Sequence, residues 1–465
     1  MTKRINVIFF LAVLFFITKI ISVILTNFDL FGDEAQYWLW SKNPDFGYYS
    51  KPPMLSWIIA AWCSAFGDSF FTIKTIPIFF YFFTSIVVFQ ISMKLVKDSE
   101  LALLTSLAFF LMPGISVSSF LVSTDVVLIF FWCLSLLMLL TIKDRPTNLN
   151  YVLLGIFLGM AFLSKYAAIY FIISMFFLFL DKKMRIIFFK NNWGFLWSLV
   201  VLLIIVAPNL FWNFNHGWPT FKHTSDNASL NSINLNIFGG LTFLLSQIFM
   251  VGPIIVIFFI FYFFKVSWLS FNSRFLLFFS LPILIIVLIE SLLVRANANW
   301  AAVSLVSLII FFVHTLYSLN KSVFFINSFL NIVFGFALFI LISFSSPLSL
   351  FDRISGIKEF SETLRYDTLF EDRILVVSDR MIFSNLSYLY YKDKIKIYVP
   401  HNNKLKPSHH FQMTNSLPEN FNKNFIFIGH LGHLDYLKNE YTIKKLYKKS
   451  VKFKLDDINV YEVIF

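Results

Sequence analysis

Two carboxylates stand side by side at Asp33 and Glu34, in the stretch GDEAQYWLW (Gly32–Trp40), just past the end of a long apolar run. Carboxylates placed this way can act as a general base or hold a divalent cation. The same pair can also do no more than cap a helix in solvent. Tyr37, Trp38, Trp40, Tyr48 and Tyr49 surround them in the sequence. Their apolar bodies and polar tips suit a membrane interface and the stacking of sugars. Lys51 follows on a backbone stiffened by Pro52 and Pro53. A rigidly presented ammonium suits a phosphate, although a lysine at an interface also snorkels with no further role.

Other polar residues interrupt apolar sequence. Asp125 ends the stretch SSFLVSTD (Ser118–Asp125), and Lys165 lies deep in the apolar stretch 150–181. A charged side chain at mid-bilayer costs roughly 2.5–3.5 kcal/mol even on the milder scales, so such residues are expected to face a polar cavity. Asp125, near a helix start, fits capping as well. Asn213 and His216 fall in PNLFWNFNHGWPTF (Pro208–Phe221), with His223 just beyond, and these histidines are candidate metal ligands. Arg295, Asn299 and Trp300 belong to RANANW, a cation with two amides suited to a phosphate or to sugar hydroxyls. Lys19 and Glu290 are further intramembrane charges, expected to pair with one another or with polar groups elsewhere. His430 and His433 are three apart, without a third ligand that would make a zinc site.

The elements that carry these residues are membrane helices. Of the chain's residues 58% are hydrophobic and only 14% charged, and the mean hydropathy is +0.74. Repeated apolar runs of this length read as transmembrane segments, not core helices. Eleven are expected, near 5–26, 74–93, 100–119, 122–142, 150–164, 166–181, 194–212, 236–264, 272–294, 299–319 and 322–345. The short basic start at Lys3 and Arg4 with its apolar run resembles a signal peptide, but no small-residue cleavage site follows, so it is read as the first span. Cys63 and Cys133 lie in separate apolar stretches and suggest neither a disulfide framework nor a thiolate metal site.

A formal charge of +12 raises the question of nucleic acid. Residues 351–465 hold 18 Lys and Arg against 14 Asp and Glu, so most of the excess lies in the membrane part, in short loops. No nucleic-acid partner is expected. Thirteen Lys and Arg, Lys190 among them, fall in one set of loops and six in the other, which puts the N-terminus in the cytoplasm and the tail outside it. This alternation requires the stretch 150–181 to break near Ser164-Lys165. The four polar clusters then share the non-cytoplasmic side.

After residue 350 the composition changes. Strand patterns at Arg373–Asp379, Ile395–Val399, Asn424–Ile428 and 451–464, with a helix at 381–391, predict a small α/β domain. The expected division is a membrane domain over 1–350, with a long first periplasmic loop at 27–73, and a soluble periplasmic domain over 351–465.

Six stretches in this order carry a resemblance: GDEAQYW (Gly32–Trp38), YYSKPPMLSW (Tyr48–Trp57), STD (Ser123–Asp125), GMAFLSKYAA (Gly159–Ala168), PNLFWNFNHGWPTF and ANANWAA (Ala296–Ala302). Over roughly residues 5–320 the chain resembles the bacterial members of the protein O-mannosyltransferase superfamily, which includes the lipid A aminoarabinose transferases. The resemblance implies a GT-C fold: an all-α polytopic membrane protein, here with a small C-terminal α/β domain. It implies transfer of a sugar from a polyprenyl (undecaprenyl) phosphate donor, usually with inversion, to an acceptor outside the cytoplasm. Asp33 is the counterpart of the family's catalytic carboxylate, with Glu34 beside it, and Lys51 the counterpart of the lysine on the donor phosphate. Phosphate contact is extended to Lys165 and Arg295, and substrate contact to Tyr37, Tyr48, Tyr49, Asp125, Asn213, His216, Asn299 and Trp300.

The chemistry is consistent with that assignment. Breaking the anomeric bond leaves negative charge on the lipid phosphate, which fixed cations stabilise. A hydroxyl acceptor needs a base, which Asp33 can supply. One position departs from the aminoarabinose branch: Ser50 stands where that branch has a metal-holding glutamate. A divalent metal is therefore not carried over, and Glu34 and His216 are the remaining candidates for one. Lipid A or another envelope glycolipid is the first expectation for the acceptor, with protein hydroxyls second. A lipid-linked-sugar transporter or flippase is the alternative of another class. The chain is placed in the bacterial inner membrane, among membrane lipids.

Overall fold

Each long apolar run folds as helix in the computed structural model of the chain. The structure describes residues 3–189, 193–228, 234–366, 374–402, 404–437, 440–453 and 457–465, so Lys190 and Arg373 lie outside it. The helices run in order as α1 (Lys3–Leu25), α2 (Gly32–Ser41), α3 (Met54–Phe66), α4 (Phe70–Val96), α5 (Ser99–Phe110), α6 (Pro113–Ser118), α7 (Thr124–Asp144), α8 (Asn148–Ser164), α9 (Ile169–Leu180), α10 (Lys182–Phe188) and α11 (Gly194–Asn215). They continue as α12 (Pro219–Ala228), α13 (Ile237–Val251), α14 (Pro253–Tyr262), α15 (Phe271–Phe278), α16 (Leu281–Leu293), α17 (Ala302–Leu319), α18 (Lys321–Ser343), α19 (Ile357–Tyr366), α20 (Arg380–Leu389) and α21 (His410–Thr414).

Among the described residues seven helical segments are long and apolar enough to cross a membrane. The pair α13 and α14, bent by 100°, makes an eighth. The bend falls at Gly252, whose φ of +119° is open to glycine and strained for other residues, and Pro253 begins the second half. Three shorter apolar helices, α5, α8 and α9, occupy the remaining expected spans. The fold is thus mostly helical and polytopic, as the hydropathy predicts.

The chain divides into two compact units. The first takes in residues 1–24, 51–55 and 74–340. In it α8 lies against α11 through Gly155 and Gly159, a small-xxx-small face that lets backbones approach closely. A Cβ at Gly155 would come 2.5 Å from the Ser198 carbonyl oxygen. This packing fixes the end of α8, where the helix stops at Ser164, Lys165 turns extended (φ −162°), and a 3₁₀ turn at Tyr166–Ala168 leads into α9. The expected break at Ser164-Lys165 is present. Lys19 in α1 donates to Ser119 Oγ at 3.0 Å and lies over the rings of Phe15 and Phe110, so its partners are a hydroxyl and aromatic faces, not Glu290.

The second unit takes in residues 25–50, 56–73 and 341–465. The first loop, which the sequence division attached to the membrane domain, is grouped with the C-terminal segment except for residues 51–55, which fall in the first unit. Its sheet is mixed, with β1 (Ile374–Val377), β2 (Ile397–Tyr398), β3 (Phe425–Ile428), β4 (Thr442–Lys449) and β5 (Ile458–Ile464) in the order β2-β1-β3-β5-β4. The strands β2, β1 and β3 are parallel, and β5 runs antiparallel to both β3 and β4. Val376, Phe425, Phe427 and Val463 form its buried core. Asp29, just past α1, ties the loop to this domain: its carboxylate accepts from the Ile357 and Lys358 amides at 2.8 and 3.2 Å and caps α19. Burial holds the Asp29 carboxyl above its ordinary pKa despite those bonds.

Candidate active site

In the second unit α2 is almost wholly buried, and Asp33 and Leu39 are the residues it leaves partly exposed. The reason lies in what packs on it. Gly32 faces α20 so closely that a Cβ there would sit 2.6 Å from Met381 Cβ. Trp38 sets its ring edge-on to Tyr388 and Tyr391 at 4.8 and 5.0 Å. Its indole N–H donates to Asp68 Oδ1 at 2.9 Å, and Lys42 pairs with the same oxygen. Burial alone would raise the Asp68 pKa, but the bonds from Lys42 and Trp38 hold it below the ordinary carboxylate value.

Glu34 and Asp33 differ sharply in environment. Glu34 is 1% exposed, and one of its carboxylate oxygens accepts from the Phe31 amide at 2.8 Å, reaching back to the N-cap at the start of α2. Asp33 is about one-third exposed. Its Oδ1 accepts from Arg380 Nη1 at 3.1 Å, and the same nitrogen donates to Gln36 Oε1 at 2.7 Å. Among the described residues Asp33 Oδ2 has no hydrogen-bond partner, so one face of the carboxylate is open.

Arg380 was not singled out in the sequence. It is the first residue of α20, directly after the parallel strand β1, with Asp379 capping the helix through the Met381 and Ile382 amides at 2.9 and 3.0 Å. One arginine among the basic residues of a soluble domain carries no sequence signal for pairing with a loop carboxylate.

The aromatic residues of the first loop pack inward. Tyr37 and Tyr48 are 5% and 1% exposed. Tyr48 stacks flat on Trp40 with centroids 4.5 Å apart, and its hydroxyl donates to the Trp40 carbonyl at 3.1 Å while accepting from the Asp45 amide at 3.1 Å. Burial pushes its hydroxyl pKa up to about 12. Expected as sugar contacts, Tyr37 and Tyr48 sit in the core of the loop because their rings are covered by Trp40, while Tyr49 remains half-buried.

In the first unit three of the expected residues come together. Asp125, in the first turn of α7, accepts from Lys165 Nζ at 2.6 Å through Oδ1 and from Asn299 Nδ2 at 2.7 Å through Oδ2. The side chains of Asp125 and Lys165 are 10% and 18% exposed, so the ion pair is mostly removed from solvent. Asp125 and Asn299 line a cavity of about 440 Å³ with Tyr81, Ser118 and Ser123, otherwise walled by apolar side chains. Tyr81 donates to Ser118 Oγ at 2.7 Å. The intramembrane cost of each charge is offset by its partner.

Asn213 is fully buried in a second network. It donates to the Tyr166 hydroxyl at 3.3 Å and to the Asn209 carbonyl at 3.1 Å, and Tyr166 donates to Asn209 Oδ1 at 2.7 Å. It therefore orients Tyr166 beside Lys165. His216 is exposed and stacks on Trp212, with Nδ1–H donating to the Trp212 carbonyl at 2.8 Å. Arg295 is exposed and Trp300 half-buried, and neither carries a side-chain hydrogen bond among the described residues. Lys51 is half-buried. Among the described residues no three His, Cys, Asp or Glu side chains gather as a ligand set, and Glu34 and His216 each commit a donor atom to backbone.

Comparison with known proteins bears on what these two clusters serve. The sequence model of the dolichyl-phosphate-mannose-protein mannosyltransferase family matches residues 50–212. The lipid A galacturonosyltransferase RgtD of Rhizobium johnstonii is 30% identical over 308 residues, 63% of this chain and 63% of that protein. The lipopolysaccharide core galacturonosyltransferase RgtA of the same organism is 27% identical over 217 residues, 45% of this chain and 42% of that one. The matches thus span less than two thirds of the length of these relatives. Crystal structures of ArnT from Cupriavidus metallidurans, one apo and one bound to undecaprenyl phosphate, superpose with TM-scores of 0.69 and 0.68 at 12% identity. The apo comparison covers 99% of this chain and 98% of ArnT, and the bound one 98% of each.

Proposed function

We propose that the chain is a GT-C glycosyltransferase of the superfamily of ArnT and the protein O-mannosyltransferases, and that it transfers a sugar from an undecaprenyl-phosphate-type donor to lipid A or a related envelope glycolipid. The observation that carries this reading is the Asp33 carboxylate, fixed through one oxygen by Arg380 and open at the other. A lipid A galacturonosyltransferase as a relative at 30% identity supports the acceptor, and favours a uronic acid as the sugar. The reaction is placed on the non-cytoplasmic side of the bacterial inner membrane, where the loop charges put Asp33 and the C-terminal domain. Similarity to a galacturonosyltransferase at 30% identity counts against a transporter.

In this reading Asp33 Oδ2 takes the proton of the acceptor hydroxyl as the acceptor oxygen bonds to the anomeric carbon. The bond from that carbon to the phosphate oxygen breaks, and undecaprenyl phosphate leaves with the charge. Lys51 is assigned to the phosphate, and Arg295 is a second cation suited to it. Lys165 serves through Asp125: their pair holds Asn299, which lines the cavity of the first unit. Glu34, bonded to the Phe31 amide, supports the helix that carries Asp33.

The test is mass spectrometry of envelope lipids from cells with the wild-type protein, with Asp33→Asn, and with none. A sugar-sized mass on lipid A should vanish in both altered strains while the variant protein still accumulates. Unchanged lipids would sink the lipid acceptor and make protein hydroxyls, suggested by the family matched at residues 50–212, the next substrate to examine.

A further inference from the structure

Arg380 uses one corner of its guanidinium. Nη1 serves both Asp33 Oδ1 and Gln36 Oε1, while among the described residues Nη2 and Nε have no hydrogen-bond partner. The side chain is 34% exposed, so the guanidinium is partly open to solvent next to the Asp33 carboxylate. Arginine presents its donors in a planar fork that matches a carboxylate through two parallel bonds. Its position fits a ligand contact as well. Arg380 follows the carboxyl end of β1, a strand flanked by parallel neighbours on both sides, which is where open α/β sheets bind their ligands.

A sugar acid brought to Asp33 meets a like charge, and two carboxylates at close range repel unless a cation lies between them. The guanidinium already on Asp33 is that cation. We propose that Arg380 determines the sugar: its free edge binds the carboxylate of a uronic acid on the donor while its Nη1 holds the base. The proposal rests on the glycosyl-transfer reading above and adds to it the residue that selects a charged sugar over a neutral one. A site built to bind a substituent rejects the analogue without it more strongly than an apolar site can.

The experiment compares two synthetic donors, undecaprenyl phosphate carrying galacturonic acid and the same lipid carrying galactose, with purified full-length protein and lipid A as acceptor. Wild type should favour the uronyl donor in kcat/KM. Arg380→Gln should lose about tenfold or more on the uronyl donor, mostly in KM, and much less on the galactosyl donor. Arg380→Lys, which keeps the charge without the fork, should fall between them and replaces the glutamine variant if that one does not accumulate. An equal loss on both donors overturns the proposal, since Arg380 would then act only on Asp33. An unchanged donor ratio overturns it too. Wild type inactive with both donors overturns the transfer reading itself, an outcome distinct from active wild type with an indifferent Arg380.

Discussion

Lys165 Nζ lies 2.6 Å from Asp125 Oδ1, joining the end of α8 to the start of α7 inside an apolar stretch. With 10% and 18% of their side chains exposed, neither charge is hydrated well enough to survive alone at low cost. Removing one partner of a buried pair typically costs about 3–5 kcal/mol, because the other charge is stranded. Lys165→Met should therefore lower the melting temperature in detergent markedly. The double variant Lys165→Met/Asp125→Asn should recover most of that loss, since nothing charged remains unpaired. A single variant that melts like wild type would mean that the pair is better solvated than its geometry indicates.

Glu34 and Asp33 are neighbours with separable roles. Glu34→Gln keeps an oxygen that can accept from the Phe31 amide, so transfer should stay within a few-fold of wild type. Glu34→Ala removes the acceptor of the Phe31 amide and should cost about 1–3 kcal/mol of stability. Asp33→Asn should abolish transfer with little change in melting. Lipid profiling of the three variants beside their melting curves separates these outcomes, and a Glu34→Gln protein as inactive as Asp33→Asn would return a chemical role to Glu34.

What the sequence reveals about this site follows from contrast. Asp33, Asp125 and Lys165 stand out because a charge in or beside apolar sequence needs a reason, and the break at Lys165 is forced by the alternation of loop charges. Arg380 has no such contrast: it is one cation in a polar domain, 347 residues from Asp33. The aromatic loop misleads for the opposite reason. Tyr37 and Tyr48 have the composition of an interfacial belt, yet Trp40 covers them, and composition cannot say which rings cover each other. The strand β4, TIKKLYKK, was missed because its lysines break the apolar alternation; it is an exposed edge strand, where lysines discourage pairing with other chains.

Gly32 tests how tightly Asp33 is held. Gly32→Ala puts a methyl 2.6 Å from Met381 Cβ, and neither helix can yield by a side-chain rotation alone. Overpacking of this kind costs about 1–3 kcal/mol. The displacement falls on the residues adjoining Asp33 and Arg380, so transfer should drop more than stability does. Gly432→Ala is the control: its nearest neighbour would be Asp435 Oδ2 at 3.8 Å, and both stability and transfer should be unchanged. Equal behaviour of the two variants would show that the contact between α2 and α20 is loose.

His409 gives the C-terminal domain an acid-sensitive stability. Burial, with the nearby Arg380 cation, lowers its pKa from 6.5 to about 4, so the folded domain resists protonating a ring that the unfolded chain protonates readily. The unfolded state then binds more protons below pH 6.5, and stability falls as pH drops from about 6.5 towards 4, levelling below that. The shift corresponds to at most about 3 kcal/mol. His401, also lowered by burial, acts in the same direction, whereas Asp29, with its raised pKa, acts in the opposite one. His409→Gln isolates the term. Between pH 7 and 4 its melting temperature should decline less steeply than that of the wild type, with the two curves separating only below about pH 6.5. Parallel curves over the whole range would mean that the His409 ring reaches water and titrates alike in both states.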